Sequence, residues 1–120
     1  MSVYDKAYEL AQALINSPEY LHYMACKEKL EKDLASYSML QHFRRQQWEV
    51  QMFRLLGHEV NEEVTQELEQ LYAYLSAEPV INEYLTAEYQ FSRMVSTVQK
   101  ILSEAIGFWT VDEPCDKNIN

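Results

Sequence analysis

Glycine and proline are scarce, two and three in 120 residues. With so few turn formers a many-stranded sheet is excluded, and the abundance of Ala, Leu, Glu, Gln and Lys favours helices. The two glycines stand fifty residues apart, which removes any glycine-rich phosphate loop, and no nucleophile elbow, Cys-x-x-Cys pair or zincin helix occurs. No nucleophile stands with a base, so the chain reads as a non-enzyme. Two cysteines, Cys26 and Cys115, are too few for a disulfide scaffold and read as free thiols. No stretch approaches the about eighteen apolar residues of a membrane span. The start, MSVYDKAYEL, holds Asp5 and Glu9 where a signal peptide needs an apolar core, so a cytoplasmic protein is expected. Basic residues are outnumbered, ten Lys and Arg to nineteen Asp and Glu, for a net charge of −9. That field repels phosphate, so neither direct nucleic-acid binding nor an anionic membrane is expected.

What remains is a hydrophobic fraction of 48%, enough for one helical domain. Val3, Ala7, Leu10 and Leu14 mark a first helix ending at Asn16 and Ser17. Ser17, Pro18 and Glu19 are a start signal for a second, over about 18 to 32, with Tyr20, Tyr23, Met24, Cys26 and Leu30 inward. Asp33 is either a further cap or an interior residue of one bent rod running from 18 to 56. Leu40, Phe43, Val50 and Phe53 form one apolar row of the segment closed by Gly57, and Trp48, Met52 and Leu55 a second, so it packs on more than one neighbour. Asn61 opens a helix over 62 to 77 with Val64, Leu68, Leu71 and Leu75 inward. With the preceding helix it makes an antiparallel hairpin.

The longest pattern runs from Pro79 to Ile106, with Gly107 beyond it. Ile81, Tyr84, Glu88, Phe91, Val95, Val98, Leu102 and Ala105 follow steps of three and four, all apolar or aromatic except Glu88. Such a helix is roughly 40 Å long, more than a small globule encloses. A partner-binding seam of Ile81, Tyr84, Glu88, Phe91, Val95, Val98 and Leu102 is therefore expected. An unpaired carboxylate at Glu88 costs several kcal/mol when buried, so the expectation is an arginine, a tyrosine hydroxyl or solvent beside it. A polar residue there also serves to fix register or partner choice.

Two constellations compete with this reading. His22 and Cys26 lie four apart, a legitimate spacing for two soft-metal ligands, and Cys115 is the one other thiol. Against them, a histidine above a small buried thiol is an ordinary structural arrangement. Glu19 and His22 form a single Glu-x-x-His element, whereas a di-metal site needs two, and the sequence holds no second. Neither a metal nor a cofactor is therefore expected, with a metal- or iron–sulfur-binding helical protein as the alternative. Lys27, Lys29, Lys32, Arg44 and Arg45 concentrate the basic charge and would serve an RNA-binding module. The simpler reading is a solvated face balanced by Glu28, Glu31 and Asp33.

The opening VYDKAYELAQALINSPEY, the Phe43 region, the loop GHEVNEEV and the closing PVINEYLTAEYQFSRMVSTVQKILSEAI together resemble the YlbF/YmcA family of bacterial regulators, with the start also similar to its YheA branch. The resemblance spans about residues 3 to 107 and is most specific at Pro79, Val80, Ile81, Tyr84, Leu85, Ala87 and Glu88. It implies an all-helical, non-enzymatic protein forming homodimers or hetero-oligomers with related regulators. It further implies roles in competence, sporulation and biofilm formation, through a complex acting on messenger-RNA processing by an endoribonuclease. Iron–sulfur clusters have been linked to that complex, but Cys115 alone cannot hold one. The expected architecture is an all-α, five-helix elongated bundle over 3 to 107, with a helical hairpin, a long C-terminal helix and a flexible tail over 108 to 120.

Overall fold

A computed structural model describes residues 2–107; the expected tail, with Cys115, lies outside the described residues. The described chain is all-α, with five helices in the order α1 (Val3–Ile15), α2 (Pro18–Lys32), α3 (Leu34–Leu55), α4 (Glu62–Ala77) and α5 (Pro79–Ile106). Several boundaries have a local chemical cause. Ser2 and Asp5 close a capping box on α1, and Ser17 accepts from the Tyr20 amide at 3.1 Å ahead of Pro18, each meeting orphan donors of a first turn. Asp33 decides the open question in favour of two helices. Its backbone, at φ −95° and ψ 87°, is non-helical, and its carboxylate accepts from both the amide and the hydroxyl of Ser36. Gly57 and Gly107 end α3 and α5 at φ +91° and +75°, a left-handed conformation that strains a residue bearing Cβ.

The helices do not form a ball. The Cα radius of gyration is 18.5 Å and the extents are 52 × 41 × 18 Å, against a radius of about 13 Å for a compact domain of 100 residues. The core sits where α2 lies along the first half of α5, joined by the start of α3 and the end of α4. It consists of Cys26, Leu30, Leu40, Phe43, Leu75, Ile81, Tyr84 and Ala87, with buried Ser36 beside them.

Two parts project from this core. The α3–α4 hairpin extends to one side, and no residue between Arg44 and Tyr74 is buried. Trp48 and Leu55, from the second apolar row of α3, are 60% and 78% exposed; α3 does meet several neighbours, but through its first half. Helix α1 approaches only α2 among the described helices and buries none of its residues, while α5 runs on beyond Phe91 with no fully buried position.

Candidate association surface

The seam read from the long helix divides in two. Ile81 and Tyr84 are enclosed by the chain's own core. Phe91 is half-buried, its ring stacked on Tyr23 at 5.6 Å and edge-on to Tyr20 at 5.2 Å. These contacts explain the tyrosines of α2, which flank the apolar row and lean across to α5, Tyr23 also reaching Tyr84 at 5.7 Å. Further along α5, Val95 and Val98 are half-buried and Leu102 is exposed, with Ile101 and Ile106 at about three-fifths exposure. The same three-four spacing thus packs inward at one end and stands open at the other.

Glu88 lies at the changeover. One carboxylate oxygen accepts from Arg44 Nη2 on α3 and the other from the Tyr84 hydroxyl at 3.0 Å. The carboxylate is therefore paired, by an arginine and by a tyrosine one turn back. The Arg44 guanidinium also lies 5.7 Å from the centre of the Tyr84 ring, a cation–π approach. Burial lowers the affinity of that guanidinium for its proton, yet Glu88 and Tyr84 together outweigh burial and the net shift is upward. Tyr84 is held strongly protonated, first by burial, then by its hydrogen bond with Tyr23 and the Glu88 charge. Sequence reasoning found the carboxylate but not its arginine, because nothing local links positions 44 and 88. The tyrosine was signalled by its four-residue spacing on one helix.

The basic concentration is partly absorbed by the same helix. Lys29 meets Glu83 at 3.0 Å, so α5 carboxylates take one cation from α2 and one from α3. At the proposed ligand pair, Cys26 Sγ is 3.7 Å from His22 Nε2. The thiol is buried, and burial followed by the Glu83 charge pushes its pKa up, which disfavours the thiolate a metal requires. Among the described residues no three His, Cys, Asp or Glu side chains converge, and a cluster would need more donors than this pair. No helix among them is long and apolar enough to cross a membrane.

The open surface is made of α1 and distal α5. On α1, Val3, Tyr4 and Tyr8 are 73% or more exposed, and Leu10 and Ile15 are exposed as well. Its stripe Val3, Ala7, Leu10 and Leu14 alternates steps of four and three, as Val95, Val98, Leu102 and Ala105 do on α5, the geometry of helices that pack in pairs. Exposed apolar faces of this kind are candidates for association.

Comparison with known proteins agrees with this helical form. A UPF0342 protein of Desulfitobacterium hafniense is 40% identical over 120 residues, covering 95% of this chain and 97% of the relative. One from Caldicellulosiruptor bescii is 41% identical, covering 89% and 90%. Among solved structures, a protein of unknown function (DUF964) from Bacillus stearothermophilus superposes with a TM-score of 0.79 at 18% identity, covering 88% of this chain and 92% of that one. Bacillus subtilis RicA, solved in complex with RicF, gives 0.63 at 16% identity, covering 88% and 93%. The family described as "Control of competence regulator ComK, YlbF/YmcA", defined by a regulatory role and not by a reaction, matches residues 3–107. The chain belongs to that YlbF/YmcA family.

Proposed function

We propose that this protein is a non-enzymatic regulatory or adaptor subunit of the cytoplasm that acts by helix-mediated association, as a homodimer or with related regulators. The observation that carries the reading is the pair of unpartnered apolar faces, on α1 and on α5 beyond Phe91, attached to a small core. Each exposed apolar side chain forgoes about 1.5–3 kcal/mol of burial, and the core between α2 and proximal α5 leaves them all outside. A matching helical face of another subunit supplies that burial. Within the seam, Val95, Val98 and Leu102 bind the partner, while Ile81, Tyr84, Glu88 and Phe91 hold the helix that presents them.

Support for a related subunit as partner comes from the fold neighbour RicA, which was solved in complex with RicF. The family description gives competence as the regulated process, and control of sporulation, biofilm formation and endoribonuclease processing of messenger RNA is the wider reading the resemblance implies. Light scattering on the purified protein tests association, with a mass of at least two chains expected. A monomer of full helicity, unchanged when related regulators from the same host are added, would overturn it.

A further inference from the structure

We propose that the groove between α3 and α4 at the loop end of the hairpin is a second docking site, and that it takes a basic amphipathic helix of another protein. The groove has a volume of about 400 Å³ and an apolar floor of Val50, Phe53, Val60, Val64 and Leu68. Its rim carries Glu49, Glu59 and Glu67 and no Lys or Arg. Arg54 donates to Thr65 Oγ1 at 3.3 Å and lines an adjoining groove with Glu69. Apolar floor and single-signed rim are therefore combined in the first of these two grooves only.

The floor is open: Phe53 is 48% exposed and Val64 39%. The loop does not close it, since His58 stacks on the Phe53 ring at 4.5 Å and leaves half of the ring uncovered. Beyond Arg44 the two helices of the hairpin have only each other, and neither buries a side chain until Leu75. Two parallel ridges with an apolar trough between them accept a third helix by ridge-into-groove packing. Charge selects which helix. Three carboxylates around an apolar floor favour lysines or arginines flanking an apolar stripe and reject an acidic helix. The same charge rejects nucleic acid. The site is separate from the α1–α5 surface, so it stands or falls independently of the association proposed above.

A synthetic Leu-Lys amphipathic peptide of about four helical turns is the probe, with a Leu-Glu peptide of the same pattern as its counterpart. Titration is followed by NMR amide shifts and fluorescence anisotropy, and light scattering reports the mass. Saturable binding of the basic peptide is expected, with shifts clustered on α3 and α4 near Phe53 and Val64. Phe53→Ala, and separately Glu49→Gln with Glu59→Gln and Glu67→Gln, weaken it by about tenfold or more. Glu28→Gln with Glu31→Gln, two exposed carboxylates of α2 away from the groove, changes it less than about twofold. Absence of saturable binding, equal binding of the acidic peptide, or an equal loss in the α2 variant overturns the proposal. A fall in mass caused by the groove variants overturns it in favour of a second copy as occupant.

Discussion

Arg44 on α3 and Tyr84 on α5 grip the two oxygens of one carboxylate, Glu88, so that the third helix is tied to the fifth at the point where α5 leaves the core. The pair is partly solvated, with the Arg44 and Glu88 side chains 39% and 30% exposed. Its contribution is accordingly smaller than that of a buried ion pair. Replacing Arg44 by Ala is expected to cost about 1 kcal/mol, within the range for charged hydrogen bonds after screening. A double-mutant cycle with Glu88→Gln, read by urea unfolding, should give a positive coupling energy of at least about 0.5 kcal/mol. Additive losses would mean the two side chains contribute separately.

Alkaline pH should loosen the same junction. Tyr84 and Cys26 both have folded pKa values above their ordinary 10.0 and 9.0, each chiefly because burial disfavours the anion. The folded chain then binds more protons than the unfolded one above those values. Stability is complete below about pH 9 and falls as pH rises further, by at most about 1.4 kcal/mol per unit for each group. Urea midpoints between pH 8 and 11 test this. Tyr84→Phe and Cys26→Ser together should flatten the alkaline limb, and an unchanged slope would assign it to other groups.

Much of the fold was legible because helix ends are written locally. Ser17 with Pro18, Asn61 with two glutamates, and Gly107 each carry their boundary within one turn of chain. Asp33 was ambiguous, since aspartate occurs both as a cap and on exposed helix faces, and only its backbone angles settle the matter. The association surface was half legible. Spacing identifies an apolar stripe on α5 but not what covers each part: Ile81 and Leu102 obey one periodicity and are 0% and 38% exposed. That difference depends on where α2 begins, which is a tertiary fact. The hairpin groove gave no signal in advance, because Glu49, Glu59 and Glu67 come together only when α3 and α4 fold side by side.

Asp33 supplies a third prediction. Its carboxylate serves the first turn of α3 and the hydroxyl of Ser36, which is itself buried. Asp33→Ala removes the cap and leaves that hydroxyl without this acceptor, for an expected loss of about 1–2 kcal/mol. Asp33→Asn retains a side-chain acceptor for the amide and should lose only a fraction of that. Thermal melts followed by circular dichroism distinguish the two, and equal losses would point to the charge and not the cap.

The division of α5 leads to a pair of substitutions with opposite signatures. Phe91 packs on Tyr20 and Tyr23 inside the chain, so Phe91→Asp places a carboxylate among aromatic rings and should destabilise the fold by about 2–4 kcal/mol. Leu102 is not part of the buried core and is 38% exposed; Leu102→Asp should leave the helical content of the isolated chain intact. Its effect falls on association, where a charge facing a partner's apolar stripe weakens binding by about tenfold or more. Light scattering across a concentration series, alongside circular dichroism, reads both. The expected pattern is lost stability for Phe91→Asp and lost mass at full helicity for Leu102→Asp. If Leu102→Asp keeps the wild-type mass, distal α5 is not the contact between subunits, and Val3→Asp on α1 becomes the decisive variant, because α1 carries the other unpartnered stripe.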